Sequence, residues 1–152
     1  MKLAESAAAV AVSVAFSLAF AAPAFAQQTT PPALYKRLGG YDAMAAVTDD
    51  FLRRLTADPS FTRFFSGHST DSLKKIRQLI VDQLCAATGG PCVYIGRDMK
   101  TAHAGLGITE KDWDTSVKYL TATLDELNVP AKEKSEVLTA VSGLKKDIVE
   151  KP

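Results

Sequence analysis

The chain has 152 residues, and its 18 Lys and Arg nearly balance its 17 Asp and Glu, which gives a formal net charge of +1 at pH 7. This balance provides neither the basic field of a nucleic-acid-binding protein nor a polybasic run that would dock on a membrane surface. We therefore expect no nucleic-acid partner, and no stable membrane contact once any targeting segment has been removed.

The first 26 residues have the pattern of a secretory signal peptide. Lys2 precedes an apolar block at 7–22, and Ala24 and Ala26 occupy the small-residue positions of a cleavage site. A retained membrane anchor is the alternative, but the block is rich in alanine and short for a span, which needs about 20 strongly apolar residues. We expect cleavage after Ala26, a flexible leader at 27–33, one domain at 34–150, and a periplasmic or secreted location.

The two cysteines suggest a disulfide. Cys85 and Cys92 lie seven positions apart, with a Gly-Gly-Pro reversal between them. In an exported protein such a pair can be oxidised, although two unrelated thiols are the alternative. The spacing is not C-x-x-C, which argues against a zinc site or a thioredoxin-like site.

The rest of the chain predicts helices. A short helix at 34–38 ends at Gly39-Gly40, and Asp42 is expected to cap a second helix. That helix ends near Asp58-Pro59, because a residue before proline avoids the helical region. Its apolar face consists of residues at steps of three and four: Met44, Val47, Phe51 and Leu55.

Two further helices begin at capping side chains. The first starts near Ser69 and ends at 89–91, and the second starts where Thr109 and Asp112 resemble a capping box. Their apolar faces carry Leu73, Ile76, Ile80 and Leu84 in the first, and Trp113, Val117, Leu120, Leu124 and Leu127 in the second.

A last helix is predicted from Pro130 onward. Its apolar stripe consists of Val137, Val141, Leu144 and Ile148. No segment alternates convincingly with the period of two that marks a half-buried strand, so the fold class is all-α.

The segment at 89–108 interrupts the helices with five of the nine glycines and contains one of the two histidines, His103. Taken alone, His103 would be interpreted as a surface or helix-capping histidine. The glycines cost backbone entropy, and a plain helical bundle gains little from them.

Three motifs together resemble the truncated globins of group I. They are LYKRLGG at 34–40, FLRRLTADPSFTRFF at 51–65, and GGPCVYIGRDMKTAHAGLGI at 89–108. They occur in the family's order and approximate spacing, and the resemblance extends from about Leu34 to Ile148.

The resemblance implies a two-over-two helical sandwich around haem b. By position, it makes His103 the axial ligand of the iron and 99–104 a short proximal helix. The other implied haem contacts are Phe51, Phe65, Ile76, Ile80, Tyr94, Met99 and Ile108, although the aromatic residues could equally be core residues without a cofactor. His68 precedes the family's distal position and is expected to be exposed.

The face of the haem opposite His103 departs from the family pattern. Aligned on Gly89-Gly90, the distal pocket consists of Leu52, Ile76, Ile80, Gln83 and Leu84, whereas Gln78 is expected on the other side of its helix. Many relatives carry a tyrosine where this chain has Leu52, and often a glutamine near Ile76 or Ile80. Only Gln83 could donate a hydrogen bond here, so we expect weak binding of dioxygen.

These features predict a non-enzymatic haem protein that reversibly binds dioxygen or another diatomic gas, NO or CO. One alternative is haem-dependent detoxification of NO or peroxide with an external electron donor, an unknown redox partner. A cofactor-free helical interaction module is a further alternative. It explains the apolar stripes but gives no reason for the glycine pairs and His103 to occur together.

Overall fold

The computed structural model describes residues 31–151, so the predicted signal peptide and most of the leader lie outside the described residues. The described part contains eight α-helices, one 3-10 turn at Pro59–Phe61, and no strand beyond an isolated bridge between Thr109 and Lys151. The helices are α1 (Leu34–Arg37), α2 (Tyr41–Ala57), α3 (Thr62–Phe65), α4 (Thr70–Ala87), α5 (Met99–His103), α6 (Glu110–Glu126), α7 (Ala131–Ser142) and α8 (Lys145–Ile148). The all-α prediction is confirmed.

Helix α2 is the centre of the packing, since it contacts both α4 and α6, while α7 contacts α6 and α1. One core cluster consists of buried residues from α2, α6 and α7: Val47, Leu120, Leu124 and Val137. A second joins α2 to α4 through Met44, Val81 and Cys85. The apolar faces predicted for these helices therefore meet along α2.

Capping explains where two of the long helices begin. Ser69 Oγ accepts a hydrogen bond from the Ser72 amide at 3.2 Å at the start of α4. At the start of α6, Thr109 and Asp112 form the reciprocal pair of bonds that defines a capping box, as predicted.

The predicted cap of α2 is wrong. Gly40 occupies the N-cap with a φ of +81°, no side chain caps the helix, and Asp42 lies inside the first turn. Gly39 and Gly40 both have positive φ, so the reversal is made by the backbone and the helix starts at once at Tyr41. Asp42 still favours this terminus, because its negative charge lies at the positive end of the helix dipole.

The last predicted helix is two helices. Helix α7 ends at Ser142, Gly143 caps it, and α8 begins only at Lys145. Leu144 lies in the connection, so the four-residue stripe predicted for one helix is divided.

Helix α4 ends at Ala87, slightly before the Gly-Gly-Pro sequence, with Thr88 as its C-cap. Within the described residues, no helix is both long enough and apolar enough to cross a membrane.

A polar contact supports the packing of α2 on α6. Asp50 Oδ2 accepts from the Thr123 hydroxyl at 2.6 Å and from Arg54 Nε at 2.6 Å, and Thr123 is fully buried. The Thr123 bond, followed by those from Arg54 and Arg53, holds the pKa of Asp50 well below its ordinary value of 3.8, against the opposing effect of burial. The ionised carboxylate is thus the form that the folded protein stabilises.

Asp50→Asn should lower the free energy of unfolding by about 1–2 kcal/mol at neutral pH, because it weakens bonds to a charged acceptor. The pKa is lower in the folded protein than in the unfolded chain, so this stabilisation is present at neutral pH and is lost as the pH falls below about 4. Urea unfolding of the wild-type protein and the variant, from neutral pH to below pH about 4, measures the difference in their free energies of unfolding. Asp114→Asn, at an exposed site whose carboxylate accepts no hydrogen bond among residues 31–151, is the control; a difference that does not change with pH would contradict the explanation.

Candidate ligand-binding site

The helix that carries His103 depends on its cap. Asp98 is the N-cap of α5, where Oδ1 accepts from the Thr101 amide at 2.9 Å and Oδ2 accepts from the Thr101 hydroxyl at 2.8 Å. These amide and hydroxyl bonds hold the pKa of Asp98 below its ordinary value. The helix ends at His103, one residue before the predicted end.

His103 has a defined tautomer. Its Nδ1 lies 2.8 Å from the carbonyl oxygen of Met99, one turn earlier. A carbonyl oxygen only accepts, so Nδ1 carries a proton and donates, and in the neutral ring Nε2 keeps its lone pair. The imidazole is half-buried, and Nε2 has no hydrogen-bond partner among residues 31–151. This nitrogen is therefore available to bind a metal.

The chain leaves α5 through two glycines in left-handed conformations. Gly105 has a φ of +82° and Gly107 has a φ of +64°. Side chains at these positions would be strained. The Gly-x-Gly sequence after His103 thus permits the reversal that leads into α6.

The loop before α5 is built around Tyr94. Its hydroxyl donates to the carbonyl oxygen of Arg97 at 2.6 Å. At Gly96 an added Cβ would lie 2.3 Å from that hydroxyl oxygen, so only glycine admits the folded ring. Tyr94 is half-buried, whereas Val93 and Ile95 on either side of it are 77% and 82% exposed. The tyrosine ring folds over its own loop at Gly96, whereas the flanking aliphatic side chains are open to solvent.

Cys85 and Cys92 are joined by a disulfide, with their Cα atoms 5.8 Å apart. Cys85 is fully buried in the second core cluster, and Cys92 packs against that cluster. The bond fixes the start of the loop to α4. Gly90 lies inside this turn, where an added Cβ would be 2.6 Å from both Cys85 Sγ and Tyr35 Cδ2.

The predicted distal residues come from α2 and α4. Leu84 packs against both core clusters and Phe51 against the first, so these two also serve as core residues. Ile76 and Ile80 belong to neither cluster, although both are half-buried. They are therefore candidates to line a pocket.

The two glutamines of α4 differ in their exposure to solvent, as predicted. Gln78 is exposed, and its Nε2 donates to the Tyr41 hydroxyl at 2.8 Å and to Asp82 Oδ1 at 2.9 Å. Gln83 is half-buried, and its amide has no hydrogen-bond partner within the described part of the chain. Gln83 is therefore the distal candidate with an uncommitted donor.

The phenylalanine-rich segment at 61–65 contains both a core residue and a candidate pocket residue. Phe61 is buried and packs at a tilt against Phe64 and edge-to-face against Tyr119, with ring centroids 5.6 Å and 6.2 Å apart. Phe65, at the end of α3, is half-buried. His68 is exposed, and its Nδ1 lies 3.0 Å from Ser72 Oγ, so its ring is occupied at the surface.

The predicted lining residues share one property, which is partial burial, and most are hydrocarbon side chains. Half-buried apolar side chains and a histidine whose neutral ring can offer Nε2 are the groups that a haem requires, because its faces need apolar contacts and its iron takes a neutral histidine. The half-buried residues are Phe51, Leu52, Phe65, Ile76, Ile80, Gln83, Leu84, Tyr94, Met99, His103 and Ile108.

One component of the site was not predicted from the sequence. Met99 was predicted as a haem contact, whereas the structure shows that its carbonyl oxygen orients the His103 ring. The four-residue separation on one short helix is the signal that could have indicated this bond, since residues i and i+4 adjoin on a helix.

Known proteins give a consistent match. The profile of the bacterial-like globin family matches residues 33–150. The group 1 truncated hemoglobin of Mycolicibacterium paratuberculosis is 34% identical over 122 residues, which cover 80% of this chain and 88% of that protein. The chain belongs to the group I truncated globins.

Solved structures of truncated globins share the fold. Truncated hemoglobin from Tetrahymena pyriformis, in its Fe(III) form, has a TM-score of 0.70 and 30% identity over 78% of this chain and 98% of its own. The 2/2 hemoglobin from Synechococcus sp. PCC 7002, solved with covalently attached heme, has a TM-score of 0.70 and 31% identity over 78% of this chain and 98% of its own. The predicted two-over-two globin fold is thereby confirmed, and membership of this family implies haem-based gas binding.

Gly90→Ala should destabilise this truncated globin by about 1–3 kcal/mol, because the methyl group would overlap the disulfide sulfur and the Tyr35 ring. Gly143→Ala is the matched control, since Gly143 has a φ of −63° and an added Cβ there would meet its nearest atom at 3.4 Å. Thermal unfolding and thiol titration of the two variants measure the effect. Equal stability of both variants would contradict the proposed close contact at Gly90.

Proposed function

We propose that this truncated globin binds haem b through His103 Nε2 and reversibly binds dioxygen, nitric oxide or carbon monoxide on the opposite face. The observation that carries the proposal is the bond from His103 Nδ1 to the Met99 carbonyl oxygen. When bound, the haem supplies the iron to which the gas binds. The protein supplies the axial imidazole, its orientation and the apolar surroundings.

The Met99 carbonyl oxygen has two effects on the ligand. It fixes the rotation of the imidazole, because the donor at Nδ1 must remain in line with an acceptor on the same helix. It also accepts the Nδ1 proton in a hydrogen bond, which makes the ligating nitrogen Nε2 more basic. Both effects favour axial ligation by Nε2.

The residues of the distal side favour weak dioxygen binding. Leu52, Ile76 and Ile80 have only hydrocarbon side chains, which leaves the amide of Gln83 as the candidate donor. A dioxygen ligand acquires partial negative charge and gains about 1.5–3 kcal/mol from a good donor, whereas the less polar carbon monoxide gains less. A pocket with few donors therefore favours carbon monoxide relative to dioxygen.

Reversible binding agrees better with these residues than catalytic turnover. Peroxide cleavage needs a general acid or base near the reacting oxygen, and the proposed distal set contains no titratable side chain. Dioxygenation of nitric oxide needs a stable dioxygen complex and rapid re-reduction by an external donor. The distal residues favour neither requirement, so we propose a ligand-binding protein that is not a dedicated enzyme.

We also infer that the protein acts outside the cytosol, in the periplasm or after secretion. The signal-like N-terminus supports this location, and so does the disulfide between Cys85 and Cys92. Disulfides persist in oxidising compartments and are rare in the cytosol.

His103→Gly should abolish the axial bond while leaving an apolar cavity for a small ligand. The wild-type protein titrated with haemin should develop an intense Soret band and the spectrum of a histidine-ligated haem, and the variant should not. Added imidazole should restore that spectrum in the variant. His68→Gly is the control and should behave as wild type. A wild-type protein that takes up no haem would support the cofactor-free module instead.

Leu52→Tyr should slow dioxygen release roughly 10- to 100-fold, because it adds a hydroxyl donor at a half-buried distal position. Leu52→Phe is the matched control, since it adds the ring without the hydroxyl. Gln83→Leu should accelerate release if its amide is the remaining donor. Stopped-flow measurement on the ferrous proteins gives the rates; equal slowing by Tyr and Phe would contradict the donor explanation.

A further inference from the structure

The C-terminal segment of the domain holds the chain just after His103. Both oxygens of the Glu150 carboxylate accept backbone N–H groups there: Oε1 from Gly105 at 2.6 Å and Oε2 from Gly107 at 2.5 Å. Both glycines have positive φ, and the two bonds orient their amides toward a single side chain. A sequence separation of more than 40 residues made this contact invisible to pattern analysis.

Backbone bonds reinforce the same contact. The Glu150 and Lys151 amides both donate to the Ile108 carbonyl oxygen, at 2.9 and 3.2 Å, and the Glu110 amide donates to the Lys151 carbonyl oxygen at 3.2 Å. Helix α8, which leads into this segment, contacts α5. Five hydrogen bonds thus fix the connection between the proximal helix and α6 to the end of the domain.

The chemistry of this contact favours an ionised carboxylate. The amides of Gly105 and then Gly107 hold the pKa of Glu150 below its ordinary value. A neutral amide side chain could accept only one of the two N–H groups and would present its own N–H₂ to the other. Glutamate therefore suits this position, and glutamine does not.

We propose that Glu150 is a positioning residue for the axial ligand, because it binds the Gly105 and Gly107 amides and so fixes the end of α5. The position of α5 in turn sets the strain in the bond from His103 to iron and the electron density that His103 donates to iron. This proposal rests on the proposed haem function. Glu150 acts through the backbone that follows His103, and its negative charge close to that segment favours the ferric state over the ferrous state.

The first test is amide hydrogen exchange in the haem-loaded, carbonyl-bound ferrous protein, measured by NMR. Glu150→Gln should accelerate exchange at Gly105 and Gly107 roughly threefold to tenfold, as expected for a weakened surface hydrogen bond. Glu126→Gln is the matched control, because Glu126 is exposed and its carboxylate has no partner among residues 31–151. Unchanged exchange at both glycines in Glu150→Gln would overturn the contact.

The second test measures two properties of the haem iron that a purely structural role of Glu150 would leave unchanged. Glu150→Gln should raise the ferric–ferrous midpoint potential and lower the iron–histidine stretching frequency of the ferrous protein, and Glu126→Gln should change neither. Faster glycine exchange with an unchanged potential and stretching frequency would overturn the positioning role. If Glu150→Gln fails to fold, Glu150→Asp, which keeps the charge on a shorter side chain, should lower the stretching frequency with little change in potential; wild-type values for both would overturn the proposal.

The two proposals fail in distinguishable ways. A wild-type protein that does not form a His103-ligated haem contradicts the proposed function itself. A wild-type protein with that haem, whose properties Glu150→Gln leaves unchanged, contradicts only the role of Glu150.

Discussion

The hydrogen bond from His103 Nδ1 to the Met99 carbonyl oxygen depends on a helix of five residues. So short a helix has almost no stability of its own, because most of its length is spent on nucleation. Its geometry must therefore be imposed from outside. The Asp98 cap fixes its first turn, and the glycine reversal held by Glu150 fixes the chain after its last turn. The direction of the His103 ring depends on these two constraints, the first local and the second tertiary.

The long helices provide the frame for this short one. Packing of α2 against α4 and α6 forms the core, and the disulfide attaches the loop before α5 to the buried end of α4. Leu84 packs against both core clusters, whereas Ile80 and Ile76, one and two turns earlier on the same helix, belong to neither. Helix α4 thus carries core residues such as Val81 and Cys85 beside half-buried residues that belong to neither core cluster.

Much of the fold was predictable because its signals are local. The apolar periodicity of α2, α4 and α6, the capping box at Thr109 and the ordered glycine motifs around His103 each depend on a few adjacent residues. The failures have equally physical causes. Asp42 is a good capping residue by type, but the positive φ of Gly40 begins the helix without it. The break at Gly143 lies within an apolar stripe that continues across it. The Glu150 contact depends on tertiary structure, which no local pattern encodes.

The proposed haem site depends first on the state of the His103 ring before haem binds. Long-range ¹H–¹⁵N correlation NMR of the haem-free protein, above pH about 8 where imidazole is neutral, distinguishes the two ring nitrogens. We expect a protonated Nδ1 and a lone pair on Nε2 for His103. A His103 ring protonated at Nε2, or one exchanging freely between tautomers, would contradict it.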